Sequence, residues 1–187
     1  MDPGFVFDTN ELSNELTRLV PSPSDSFFAV EPLFPPYDVV FIDGDHRFEQ
    51  VVRDFSNTVL RTHRRSAVLI DDTLPNDVYS AMPNLQDVNR YRKAIGSTDS
   101  AWMGDVFKTV FYIHDFWPGL NYRTITGSGN VQTLVWRANG VQRTPLFDNL
   151  ERISRLSFFD LQDHMEVLHT APEEEAIALC VKELQAL

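Results

Sequence analysis

Residues 37–73 read YDVVFIDGDHRFEQVVRDFSNTVLRTHRRSAVLIDDT. Val39, Val40, Phe41 and Ile42 are a continuous apolar run, the pattern of a strand covered on both faces in a parallel sheet. The run stops at Asp43-Gly44-Asp45-His46. Phe48, Val51, Val52, Phe55 and Val59 then recur at helical spacing, with Arg47, Glu49, Gln50 and Arg53 between them. A second apolar run, Ala67 to Ile70, ends at Asp71-Asp72. Two parallel strands joined by a helix bring both strand ends to the same edge of the sheet. Asp43, Asp45, Asp71 and Asp72 are therefore expected to converge at the carboxyl edge, where open α/β sheets bind ligands. Like charges this close raise one another's pKa unless a cation neutralises them. Hard carboxylate oxygens suit Mg²⁺, Ca²⁺ or Mn²⁺. The competing reading is a set of solvated strand-end and capping residues.

Composition narrows the classes. The chain has 187 residues, enough for one ordinary domain, and a 43% apolar fraction supplies a core. A net charge of -11 argues against a broad nucleic-acid or anionic-membrane surface. No apolar run is long enough for a transmembrane helix, and the start, MDPGFVFDTNEL, lacks the pattern of a signal peptide. The one cysteine, Cys180, excludes an internal disulfide and fits a reducing, cytoplasmic setting.

Outside the central stretch, Asp8-Thr9-Asn10 caps an expected helix from about Glu11 to Val20, with a short strand over Leu16 to Val20 as the alternative. Ser24-Asp25-Ser26 caps a short helix through Phe27, Phe28 and Val30. Asp87 to Ile95 has helical character, and Val110 to Ile113 is apolar and β-rich. Leu120 to Thr126 and Val131 to Arg137 are two strands of an antiparallel hairpin around Gly127-Ser128-Gly129-Asn130. Helical patterns follow, ending in a helix from Pro172 to about Leu184. The division expected is a sheet domain over 1–138 and a helical extension over 139–187.

FIDGDHRFEQVVRDF followed by AVLIDDT resembles the class I S-adenosylmethionine-dependent methyltransferases, in particular the methyltransferase domain 24 group. SDSFFA (residues 24–29) and WMGDVFK (residues 102–108) are similar to two further segments of that group. The resemblance covers about residues 24–137. It implies a Rossmann-like α/β sheet, parallel with a C-terminal antiparallel hairpin, and S-adenosylmethionine as cofactor. It implies Asp43, Asp71 and Asp72 as ligands of a divalent ion such as Mg²⁺. Asp45 and His46 are implied as the groups that accept a proton. Ser24 and Asp25 would contact adenine, Asp43 would lie at the cofactor site, and Asp2 would hold the ribose hydroxyls. The acceptor implied is a small hydroxylated molecule.

One part of that pattern is missing. Class I methyltransferases open on a strand followed by a Gly-rich turn, and this chain has no such turn between a strand and a helix. The expectation is a sheet without its first strand, leaving YDVVFI as an apolar edge open to pairing with a second copy. Two function classes follow: an O-methyltransferase, or a non-catalytic remnant of the fold serving as an interaction module. Other candidates are weaker. His63 with Arg61, Arg64 and Arg65 reads as a solvated cluster, His114-Asp115 shows no partner, and His164 and His169 read as surface residues.

Overall fold

The computed structural model describes residues 1, 4, 16–31, 35–127 and 129–187. Elements follow in the order α1 (Ser24–Val30), β1 (Tyr37–Ile42), α2 (Phe48–Val59), β2 (Thr62–Ile70), α3 (Leu85–Ala94) and α4 (Lys108–Phe116). Then come β3 (Leu120–Thr126), β4 (Gln132–Arg137), α5 (Leu150–Ser154), α6 (Phe158–Asp163), a 3-10 turn at Met165–Leu168, β5 (Ala171–Pro172) and α7 (Glu173–Gln185). The strands form one sheet in the order β1-β2-β4-β3-β5. β1 and β2 are parallel, with Phe41 beside Leu69 and Ile42 beside Ile70. β4 is antiparallel to both β2 and β3, so the hairpin folds back and inserts its second strand beside β2. This is a Rossmann-like α/β sheet with a C-terminal antiparallel hairpin, as the sequence implies.

Side chains alternate between the two faces of the sheet. One face carries Ile42, Val68, Ile70, Tyr122 and Val135, packed under Val51 and Phe55 of α2 and Val110, Phe111 and Ile113 of α4. Ile153, Leu161 and Leu168, from the helical segment after residue 139, are buried in this same cluster. The other face is thinner: Ile125, Ala171 and Ala176 are buried, with Leu69 and Leu134 half-covered against them. α7 lies across β2, β4 and β3 on this side. β1 stands at the end of the strand order, and its outward-facing Val39 and Phe41 remain 72% and 51% exposed.

Three local expectations are corrected. The β-rich run Val110 to Ile113 lies inside helix α4. Propensity is overridden there by burial: Thr109, Val110, Phe111 and Ile113 are all fully buried, so apolar residues surround the helix and no alternation marks it. The helix expected up to Val20 does not reach it, since residues 16–20 are not helical; residues 11–15 lie outside the described residues. β2 starts at Thr62 rather than Ala67, because the register with β1 shifts between Tyr37 and Val39 and loops extra residues into the strand. Ser66 stabilises that irregularity by donating to the Tyr37 carbonyl and accepting from His63 N–H, at 2.6 and 2.9 Å. His63 is occupied by Asp38, 2.7 Å away. Among the described residues no helix is long and apolar enough to cross a membrane.

Candidate functional site

The two acidic turns meet at the carboxyl ends of β1 and β2. Asp71 N–H donates to the Ile42 carbonyl at 3.0 Å, and Thr73 N–H donates to the Val131 carbonyl at 3.1 Å. The second turn is thus fixed by backbone both to β1 and to the hairpin. Asp45 and Asp72 both adopt left-handed backbone conformations, with φ of 34° and 58°. Asp tolerates this region better than most side chains do, which suits it to a sharp strand exit.

The four aspartates do not act as one quartet. Ligand atoms of Asp43, His46 and Asp72 lie within 4.8 Å of one another. His46 Nδ1 is 3.2 Å from Asp72 Oδ2, and His46 Nε2 is 3.7 Å from Asp43 Oδ1. Asp71 turns away: its Oδ1 accepts from Gln132 Nε2 at 3.1 Å. Asp45 is exposed and held by Arg47, whose Nε lies 3.0 and 3.1 Å from the two carboxylate oxygens. Asp72 is 5% exposed. Burial, opposed by His46 and reinforced by the charges of Asp71 and Asp43, pushes its carboxyl up to about 6. A carboxylate kept this dry beside two others is short of positive charge.

The WMGDVFK segment explains why His46 holds its place. The Trp102 ring stacks on the His46 imidazole, with centroids 4.8 Å apart, and the Trp102 carbonyl lies 3.1 Å from His46 Nδ1. Gly104, at φ 63°, lies so close that a Cβ there would sit 1.6 Å from the His46 carbonyl oxygen. Only glycine permits that approach. Asp105 N–H donates to the same carbonyl at 3.2 Å. The buried Asp105 side chain accepts from Phe48 N–H at 2.7 Å, satisfying the first turn of α2. Lys108 neutralises Asp105 at 2.8 Å and donates to the Ser154 carbonyl. Sequence resemblance found this segment, but its role as a clamp on the DGDH turn is a tertiary contact across 56 residues that no local pattern announces.

A groove of about 1040 Å³ runs along β1 and ends on this turn. Ser24, Asp25 and Phe28 of α1 form one wall, Gln50 and Asp54 of α2 contribute to the floor, and Asp43, Gly44 and Asp45 close one end. Gln50 Nε2 lies 3.0 Å from Ser24 Oγ, 3.2 Å from Asp25 Oδ1 and 3.0 Å from Asp54 Oδ1. Arg61, buried, donates to the Phe28 carbonyl at 2.6 Å and the Glu31 carbonyl at 3.3 Å, tying the end of α1 to the base of α2. Ser24, Asp25 and Asp43 therefore share one groove, and Asp2 lies outside the described residues. Among the described residues no Gly-x-Gly turn joins a strand to a helix; Gly127 and Gly129 belong to the β3–β4 connection.

Residues 3–73 match the family model described as Methyltransferase domain. The match supports a class I S-adenosylmethionine-dependent methyltransferase domain over this segment. It contains α1, β1, α2, β2 and both acidic turns, so the match spans the groove and the cluster at its end. No curated protein and no solved structure matches the chain.

His114 and His169 meet in a second cluster, contrary to their reading as unpartnered or surface groups, while His164 packs apart from it against Phe111 and Phe147. His114 Nδ1 lies 2.9 Å from Tyr122 Oη, and its Nε2 lies 3.2 Å from the Thr144 carbonyl. Tyr122 Oη donates to the Val167 carbonyl at 2.6 Å. The His169 ring packs on Tyr122 with centroids 5.0 Å apart. Burial, then the charges of Arg123, His114 and Arg143, lower His169 to about 4. Asp115 accepts from the backbone N–H groups of Leu146, Phe147 and Asp148, so it anchors a loop. Burial pushes the Cys180 thiol up to about 11, which leaves it unreactive at neutral pH.

Proposed function

We propose that this methyltransferase-family chain takes part in S-adenosylmethionine-dependent O-methyl transfer to a small hydroxylated acceptor, assisted by a divalent cation. The observation that carries this reading is a shared end wall. The groove along β1 finishes on the same turn, Asp43 to Asp45, that supplies one member of the Asp43–His46–Asp72 cluster. Its volume, about 1040 Å³, is just above the range of roughly 300–1,000 Å³ usual for small-molecule sites. The buried Asp72 carboxylate, without enough positive charge around it, fits a cation.

When bound, the cofactor supplies an electrophilic methyl on a sulfonium, and the ion lowers the pKa of a hydroxyl held against it. The chain's own residues position the partners. Ser24 and Asp25 stand on the wall of the groove and Asp43 at its end, with Asp43 facing the cluster as well. Transfer would join the acceptor oxygen to the methyl carbon as the carbon–sulfur bond broke, with the cofactor leaving as a neutral thioether. The hydroxyl proton passes to a base on the turn, either the Asp45 carboxylate or His46 Nε2. Most of the acceleration would come from alignment.

Calorimetric titration of S-adenosylmethionine into the folded chain, with and without Mn²⁺, tests the reading. Binding at one site per chain, weakened at least tenfold by Phe28→Asp in the groove wall, supports it. A folded chain that binds no cofactor overturns it. The exposed Val39 and Phe41 favour a second reading, an interaction surface that pairs β1 with another copy. Under that reading the chain sediments as a dimer, and Phe41→Lys returns it to a monomer.

A further inference from the structure

β1 is an edge strand without the protection that edges usually carry. Short strands, charges and prolines on an edge discourage pairing with other chains. The opposite edge of the sheet, β5, is only two residues long. β1 runs for six residues, and Val39 to Ile42 hold neither a charge nor a proline. The Ile42 carbonyl accepts from Asp71 N–H, so Ile42 turns its backbone groups towards β2. Successive residues of a strand direct theirs to opposite sides. The N–H and C=O groups of Val39 and Phe41 therefore point outwards, where among the described residues no strand pairs with them.

The groove beside this edge decides what can lie there. Val20, Phe27 and Phe28 give it apolar surface. Its charged lining is five acids, Asp25, Glu31, Asp43, Asp45 and Asp54, against one base, Arg18. Arg18 is occupied by Glu31 at 3.1 Å, and Arg47 and Arg53 stand beside Asp45 and Asp25. Asp43 and Asp54 form no ion pair with Lys or Arg among the described residues; Asp43 has His46 at 3.7 Å and Asp54 accepts from Gln50. An occupant of this edge is therefore apolar along its length and basic where it reaches Asp43. A second copy is a poor match, because it brings a net charge of -11 and the same acids to the contact.

We propose that β1 accepts an extended segment of another protein as an added strand, with alternating apolar residues and a Lys or Arg at the end that meets Asp43. Backbone hydrogen bonds to Val39 and Phe41 supply affinity in such an arrangement, and pockets for alternate side chains supply specificity. Here one set of side chains covers Val39 and Phe41, and the other enters the groove over Phe28 and Asp54. The assignment goes beyond the methyltransferase reading and stands without it. One consequence alone rests on that reading: strand and cofactor share the groove, so each would exclude the other.

A library of random peptides about eight residues long, displayed on phage and panned against the full chain, tests the assignment. Enrichment of alternating apolar sequences with one basic end is the expected result. A synthetic peptide of the enriched sequence should bind about tenfold more weakly, or worse, when glutamate replaces its basic residue, and likewise when a proline removes a backbone N–H from its middle. Val39→Lys and Phe41→Lys, both at exposed positions and checked for folding by circular dichroism, should weaken binding as much. A folded chain that enriches no peptide overturns the proposal, as does a peptide that binds equally well with the proline or the glutamate in place. A dimer that Phe41→Lys returns to a monomer gives the edge to a second copy and overturns it too. Cofactor titration keeps the two readings apart. Peptide binding with no S-adenosylmethionine binding sinks the methyltransferase reading alone, and S-adenosylmethionine binding with no enriched peptide sinks the strand site alone.

Discussion

His46 and His169 both lie against an aromatic ring, Trp102 in one case and Tyr122 in the other, at nearly the same separation. Their charged neighbours have opposite signs. His46 stands between Asp43 and Asp72, while His169 has Arg123, Arg143 and the ring of His114 around it. Carboxylates around an imidazole make a place for a cation. Arginines around an imidazole hold it neutral and turn it into packing. Residue type and aromatic contact are common to both clusters, so the sign of the surroundings is what separates a candidate centre from a structural plug.

Several substitutions can break or sharpen this contrast. The largest effect belongs to the clamp on the carboxylate-lined cluster. Gly104→Ala drives a methyl group into the His46 backbone, and a cost of about 4 kcal/mol or failure to fold is expected. Urea denaturation reads it, and a cost below about 1 kcal/mol would show that the clamp is loose. Asp105→Ala removes the partner of Lys108 and the acceptor of Phe48 N–H, both buried. About 3 kcal/mol should be lost in the same assay, with less lost if Lys108 is changed to Met at the same time.

The next two effects have opposite dependence on pH. Asp72 has a folded pKa of about 6, above its unfolded value near 3.9. In the metal-free protein it therefore costs stability at neutral pH, and that cost disappears as pH falls from about 6 to 4. Asp72→Asn should stabilise the metal-free protein by about 2 kcal/mol at pH 7 and by nothing below about pH 4. Equal stability of the two proteins at pH 7 would remove the case for a carboxylate kept under strain for use. His169 has a folded pKa of about 4, below its unfolded value near 6.5. Its contribution is complete above pH 6.5 and is lost as pH falls towards 4. Because the ring is partly exposed, the loss should be about 1 kcal/mol. His169→Asn suits the left-handed backbone there, φ 47°, and should show a shallower acid decline in thermal melts.

The contrast was half visible in the sequence. Two apolar runs that each end in acidic pairs announce the strand ends, and Asp43, Asp45 and His46 stand out at once. The separation of Asp71 from Asp72 could not be read, because it depends on Gln132 arriving from the hairpin. The arginine-ringed cluster was invisible for a similar reason. His114, Tyr122, Arg143 and His169 come from four segments and meet only once the sheet is closed. Helix α4 shows no helical periodicity in the sequence, because burial around most of the helix erases it.

The order of the strands also sets a timetable for synthesis. β1 and β2 leave the ribosome together, but the neighbour of β2 is β4, which starts only at Gln132. At roughly 5–20 residues per second, that neighbour follows the end of β2 by about 3 to 12 s. Through this interval a βαβ unit with its acidic turns already made waits with an apolar strand unpaired on the β4 side. A nascent chain in that state is a natural client for a chaperone, and slowing translation between residues 71 and 131 would lengthen its exposure.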